Sequence, residues 1–280
     1  MRKVPRLGTF PKLATPTSDN RDVIRNKANF INRCIYLSFM TKNNPWNNFS
    51  EEYHKLVADS GDIYHKTYLN PVVLKLLGNV KNKKILDLAC GNGYFSKILA
   101  EKKAIITGVD YSKKLISIAK SHQHKSMNFF VGSSSNLNFL KDNSFDFIIS
   151  NVAFHDIKAI SKTIKECSRL LKPKHKLIFS IPHPAFHLSK RVKEDGAYFR
   201  KVKKYMSVQI LDHPCYQGVN HYHRPIEYYM EILFKNKFAV TGFHEITTKH
   251  RKGKIVKEPN LLNHKQEIPT FLIIEATSEK

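Results

Sequence analysis

The sequence predicts an α/β fold: a doubly wound, seven-stranded, mostly parallel sheet with helices on both faces and an antiparallel final strand. Three observations carry that expectation. From Asn44 onward, short apolar runs alternate with amphipathic stretches, the pattern of strand–helix–strand units. A turn with two glycines, Gly91-Asn-Gly93, joins the first strand-like run to the helix-like stretch after it. After the fifth run come two more with a helix between them, a spacing that suits a closing antiparallel hairpin.

The elements follow in order. Asn70-Pro-Val-Val-Leu-Lys-Leu-Leu-Gly78 reads as a short helix with Asn70 as N-cap, proline at its first position and glycine past its end. Lys84–Ala89 is a buried strand, and the helix beyond the glycines carries Phe95, Ile98 and Leu99. Ala104–Val109 is the second strand, and Ser112 caps a helix bearing Leu115, Ile116 and Ala119. Met127–Val131 and Phe145–Ser150 are the third and fourth strands. Ile157, Ile160, Ile164, Cys167 and Leu171 step by three and four, one face of a helix that Pro173 stops. His175–Ile181 is the fifth strand, Pro225 opens a helix through Tyr229 and Leu233, and Phe238–His244 and Thr270–Ala276 are the last two strands. Residues 44–280 are expected to form one domain. Residues 1–43 are expected to be a basic, poorly ordered extension, of which 1–39 precede a second methionine, Met40. An insertion at 182–223 is longer than a bare strand-to-helix link and is expected to act as a lid.

Composition bounds the function. With 41% hydrophobic residues the 280-residue chain can bury a core, which excludes global disorder. No apolar run approaches the roughly 18–20 residues of a membrane-spanning helix, and no apolar stretch follows the basic start, so a soluble, cytoplasmic protein is expected. Cys34, Cys90, Cys167 and Cys215 form no CxxC pair, which argues against a disulfide scaffold. The pairs His122/His124 and His221/His223 lack further ligands at metal spacing, so no metal is expected. The formal charge is +24, but 37 of the 47 basic residues are lysine and they are dispersed. Lysine is the poorer bidentate reader of phosphate, so the charge alone does not define a nucleic-acid protein.

The chemistry gathers on the first glycine loop. Open α/β sheets bind ligands beyond the carboxyl ends of their strands, and Gly91 and Gly93 allow a tight turn close to a ligand. Asp110, at the end of the next strand, is placed to accept both hydroxyls of a ribose. A glycine loop with an acid about 20 residues on points to an adenosine-type cofactor. Asp87 just before the loop would oppose a pyrophosphate, and would favour the ammonium and sulfonium of S-adenosylmethionine (SAM).

Lys84-Ile-Leu-Asp-Leu-Ala-Cys-Gly-Asn-Gly-Tyr-Phe95 resembles the first motif of class I SAM-dependent methyltransferases, in the branch called methyltransferase type 11. Gly108-Val-Asp-Tyr-Ser112, Val131-Gly-Ser-Ser-Ser-Asn-Leu137, Ser144–Asn151 and Leu170–Ile178 are similar to its later motifs, in order. The resemblance implies a Rossmann-like methyltransferase fold and SAM as cofactor. It implies that Asp87 orients the SAM ammonium, that Gly91 and Gly93 give backbone contacts, and that Asp110 and its neighbour Tyr111 hold the ribose. Ser133 and Ser134 stand where the family contacts adenine, and Asn151 would lie near the methyl group. His155, after the fourth strand, is the candidate base; His183, His223 and Arg224 are candidate substrate contacts. The helix around Tyr53, His54, Tyr64 and His65 would cover the cofactor.

Methyl transfer to a small molecule is the expected activity, by in-line displacement. RNA is the alternative acceptor, and a catalytically silent SAM-binding protein with an acidic partner is the rival outside catalysis. Strand four ends Ser-Asn-Val-Ala-Phe rather than Asn-Pro-Pro-Tyr, against amino-group methylation of adenine or glutamine.

Overall fold

Ile85, Leu86 and Leu88 have no measurable exposure, so β1 (Lys84–Leu88) has no solvent face and must sit between two helical layers. The computed structural model describes residues 44–280 except 123, 188, 196, 214, 215, 217, 249, 252, 253 and 256–267. The expected basic extension, residues 1–43, lies outside the described residues.

Beside β1 stand β2 (Ile105–Asp110), β3 (Met127–Val131), β4 (Phe145–Asn151) and β5 (Leu171–Pro182). The 182–223 segment contains two hairpins, β6 (Lys190–Glu194) with β7 (Ala197–Lys201), and β8 (Gln209–Asp212) with β9 (Asn220–His223). β10 (Phe238–Ile246) and β11 (Phe271–Ser278) complete a seven-stranded sheet in the order β10-β11-β5-β4-β1-β2-β3. β1 to β5 pair in parallel, and β11 runs antiparallel between β5 and β10. The strand order reverses between β1 and β4, which opens a crevice at their carboxyl ends.

Two short helices, α1 (Pro45–Asn48) and α2 (Ser50–Val57), precede α3 (Asn70–Leu77); α4 (Tyr94–Glu101), α5 (Lys113–Ser121), α6 (Ile160–Leu170) and α7 (Ile226–Lys235) follow. Alternate residues of the central strands feed two cores. Ile85, Ile149, Ile178 and Ile273 meet Val73 and Leu77 of α3 and Phe95 and Leu99 of α4. Leu86, Ile148, Leu177 and Ile274 meet Ile160, Ile164 and Cys167 of α6 and Tyr229 and Leu233 of α7. The period-two alternation thus covers both faces of the sheet.

Two local readings differ from the sequence expectation. Asn70 caps nothing: it has helical dihedrals and continues a π-helical turn, His65–Leu69, into α3. Pro71 lacks an N–H, and the wider turn before it lets one helix run through that missing donor. The Asn70 carboxamide is free for other work, described below. The helix expected from Ile157 begins at Ile160, after a 3₁₀ turn, Phe154–Asp156. No helix among the described residues is long and apolar enough to cross a membrane.

Candidate cofactor and acceptor site

A cavity of about 310 Å³ opens at the reversal of strand order. One wall is the loop after β1 with the end of β2, and the opposite wall is the turn that leaves β4. Gly91 has φ +57°, and a Cβ there would come 3.1 Å from the Tyr53 ring. Only glycine accepts both the left-handed backbone and that approach. Gly93, also left-handed, faces inward: its missing Cβ leaves room for Ala119 and Phe129. Between them, fully buried Asn92 donates to His54 Nδ1 (2.9 Å) and to the Ala58 carbonyl (2.8 Å), tying the loop to α2.

Asp110 is held by two amides. Gly91 N–H donates to its Oδ2 (2.9 Å) and Ser112 N–H to its Oδ1 (2.8 Å). Each carboxylate oxygen keeps lone-pair capacity on the cavity side. Ser112 caps α5 as expected, accepting from Leu115 N–H (3.2 Å), and its hydroxyl donates to Asn47 of α1 (2.8 Å). Asn44 donates to the Tyr111 carbonyl (2.9 Å). These bonds seat α1 over the end of β2, so Trp46 and Tyr53 form the cavity's cover.

Ser133 and Ser134 line the cavity beyond β3. Ser133 shares a hydrogen bond with Ser135 (2.9 Å), and Ser134 with Thr163 (3.0 Å). Their turn is braced by Glu166, which accepts Leu137 N–H, and by Arg169, which donates to the Leu137 carbonyl. Asn151 ends β4 in a network: its amide donates to Asn70 Oδ1 and to the Tyr94 hydroxyl (both 3.2 Å), and its carbonyl oxygen accepts from Ser180. Two non-glycine residues on the wall carry positive φ, Ala89 (+58°) and Val152 (+54°). For a β-branched valine this is a strained conformation, costing about 1–3 kcal/mol. Ser180 holds it, since its carbonyl and hydroxyl both accept the Val152 N–H.

Of the sequence-predicted residues, Gly91, Asp110, Tyr111, Ser133, Ser134 and Asn151 share this cavity. Asp87 lies beneath the loop rather than on its wall, 3% exposed and accepting from the Ser96 hydroxyl (2.6 Å). Burial pushes its carboxyl up to about 7; the Ser96 bond opposes the shift and the charge of Asp110 adds to it. Asp87 therefore adds about one proton to the folded state between roughly pH 4 and pH 7, and its own contribution to stability falls as pH rises through that window, opposite in sign to that of the buried histidines described below. In thermal melts without cofactor, the stability of the parent relative to Asp87→Asn is expected to fall as pH rises through that window. Equal slopes in the two proteins would contradict the assignment.

The other four candidates lie off the cavity wall, each for a visible reason. His155 points away from it into a nest of imidazoles, with ring centroids 4.9 Å from His221. Its neighbour Asp156, which the sequence did not single out, lines the cavity instead. His183 is buried and its Nε2 meets Glu245 (2.9 Å). His223 Nε2 bonds the Tyr205 carbonyl (2.8 Å). Arg224 is 3% exposed and donates to the carbonyls of Phe154, Ile157 and Lys158, so its guanidinium is not available to an acceptor. Burial pushes four histidines down, His155 well below its usual value, His187 and His213 to about 4 and His221 to about 3, so these rings are neutral. Cys90 is buried behind the loop, where burial raises its thiol far above the reactive range.

A glycine loop after the first strand, a carboxylate ending the second and a cavity at the strand-order reversal define an α/β protein built to hold an adenosyl cofactor. Residues 86–179 match the methyltransferase domain family. Over 215 residues the chain is 30% identical to an uncharacterized protein of Haemophilus influenzae, covering 71% of this chain and 83% of that one. It is 35% identical over 117 residues to the ubiquinone biosynthesis O-methyltransferase of Coxiella burnetii, 40% of this chain and 50% of that enzyme. The chain thus spans about half the length of that first group of relatives. A SAM-dependent methyltransferase from Mesorhizobium loti shares the fold with a TM-score of 0.65 at 22% identity, covering 74% of this chain and 96% of that one. Residues 86–179 thus place the chain among proteins of the methyltransferase domain family, with the fold of SAM-dependent methyltransferases.

The residues present fit that family's cofactor. Gly91, without a Cβ, lets Tyr53 close over the loop at the cavity's edge, and the Asp110 oxygens, already oriented by two amides, retain capacity for a ribose diol.

Proposed function

We propose that this chain methylates a small molecule, with SAM as donor and an oxygen as the accepting atom. One observation carries the reading: a single concave cavity joins the Asp110 carboxylate to the turn after β4, with Asn151 and Asp156 on its far wall. Asp110 would hold the ribose hydroxyls, the Gly91 backbone the methionine portion, and Ser133 and Ser134 the adenine edge. When bound, the cofactor supplies an electrophilic methyl group. The protein's task is to align the acceptor with it, since displacement depends chiefly on positioning. Asn151 suits that task because Ser180, Asn70 and Tyr94 fix its carboxamide. Trp46 and Tyr53 exclude water from above, and the 182–223 insertion reaches this cover through Tyr216, whose ring lies 5.1 Å from that of Trp46. The O-methyltransferase name of the Coxiella relative supports oxygen as acceptor.

Methyl-labelled SAM incubated with the protein and either a metabolite extract or total RNA tests the acceptor class. Label is expected in an organic-extractable metabolite. Label in RNA alone would replace this reading with the RNA one.

A further inference from the structure

We propose that His155, Asp156 and His213, joined by His221, form a site for a divalent metal ion of the zinc class at the acceptor end of the cavity. The ligand atoms of His155, Asp156 and His213 lie within 4.8 Å of one another. His155 Nε2 stands 3.4 Å and His221 Nδ1 3.9 Å from Asp156 Oδ1. A tetrahedral ion with bonds of about 2.0–2.1 Å places its ligand atoms roughly 3.4 Å apart, so the cluster needs little contraction to close on one.

A second observation is independent of the spacing. His155 Nδ1, Asp156 Oδ1 and His221 Nδ1 are buried without a hydrogen-bond partner among the described residues. Three unmet polar atoms in one place are unusual, because each costs about 1–3 kcal/mol to bury. An ion would take up Asp156 Oδ1 and His221 Nδ1 directly. His213 Nδ1 accepts Tyr216 N–H (3.1 Å), so its ligation runs through Nε2 and moves the ring proton to Nδ1, releasing that amide. Neutral imidazoles with one carboxylate suit zinc or a similar borderline ion better than magnesium or calcium.

Asp156 belongs to both the cluster and the cavity wall, so an ion there would border the acceptor end and take an acceptor oxygen as a fifth ligand. Such an ion would hold an acceptor hydroxyl and favour its deprotonated form. That role rests on the methyltransferase reading; the binding itself does not.

The test is a zinc titration of the full-length, chelator-stripped protein against a chromophoric chelator, with cobalt absorption as a second readout. One equivalent of zinc is expected, with cobalt bands of tetrahedral intensity. Asp156→Asn and His221→Gln, each verified as folded by circular dichroism, are expected to weaken binding at least tenfold. His124→Ala, at an exposed histidine, is expected to leave it unchanged. Absence of stoichiometric zinc, or binding indifferent to Asp156→Asn and His221→Gln, would overturn the proposal. Calorimetry with S-adenosylhomocysteine on the same samples separates the two readings: cofactor binding without zinc sinks the metal site alone, and zinc without cofactor binding sinks the methyltransferase reading alone.

Discussion

Asp110→Ala is expected to weaken S-adenosylhomocysteine binding on the order of 100-fold, measured by calorimetry. The carboxylate is the one charged acceptor on the β2 side of the cavity, and each charge-assisted hydrogen bond it makes to a ribose hydroxyl is worth about 1.5–3 kcal/mol. The substitution also leaves the Gly91 amide without its acceptor, loosening the loop that must approach the cofactor. Asp110→Asn keeps one oxygen for that amide, at the cost of the Ser112 amide's acceptor, and is expected to hold the loop better than alanine and still lose most of the affinity. An Asp110→Ala affinity within threefold of the parent would remove the carboxylate from the cofactor site.

The largest stability effect is expected at Arg224. Arg224→Met should lower the unfolding free energy by about 3–5 kcal/mol, seen as a lower urea midpoint with little change in slope. Its Nη2 donates to the Ile157 carbonyl (2.7 Å) and the Lys158 carbonyl (3.2 Å), and its Nη1 to that of Phe154 (3.3 Å). Its guanidinium also lies 4.9 Å from the Tyr222 ring centroid. Methionine fills the volume but leaves the Ile157 and Lys158 carbonyls without this donor and the Phe154 carbonyl with only the Ile157 N–H (3.4 Å). A loss below about 1 kcal/mol would mean that water or another donor reaches those carbonyls.

The fold was legible because its evidence is local and periodic. Alternating apolar runs marked the strands, and the step of three and four through Ile160, Ile164 and Cys167 marked α6. Gly91 and Asp110 were legible for a related reason: each stands at a fixed place after a strand, so position along the chain gives position in space. The acceptor side has no such rule. His183 and Arg224 resemble substrate contacts in the sequence, yet their partners lie 62 residues and about as far away in the chain, and those partners decide what the side chains do. His155 and Asp156 differ by one residue, and only the 3₁₀ turn decides which of them faces the cavity. The histidine cluster draws on the turn after β4, on His213 and on β9, so no metal-binding spacing exists to be read. Trp46 was missed because the bonds that place it, from Asn44 and Asn47, reach across the chain to Tyr111 and Ser112.

Those same bonds make the cover and the Asp110 carboxylate parts of one mechanical unit. Asn47 takes the Ser112 hydroxyl, and the Ser112 amide in turn holds Asp110. Lifting α1 removes a restraint from the residue that orients Asp110. A displacement of α1 would therefore loosen Asp110 as it uncovers the cavity, so access and grip are coupled through one serine.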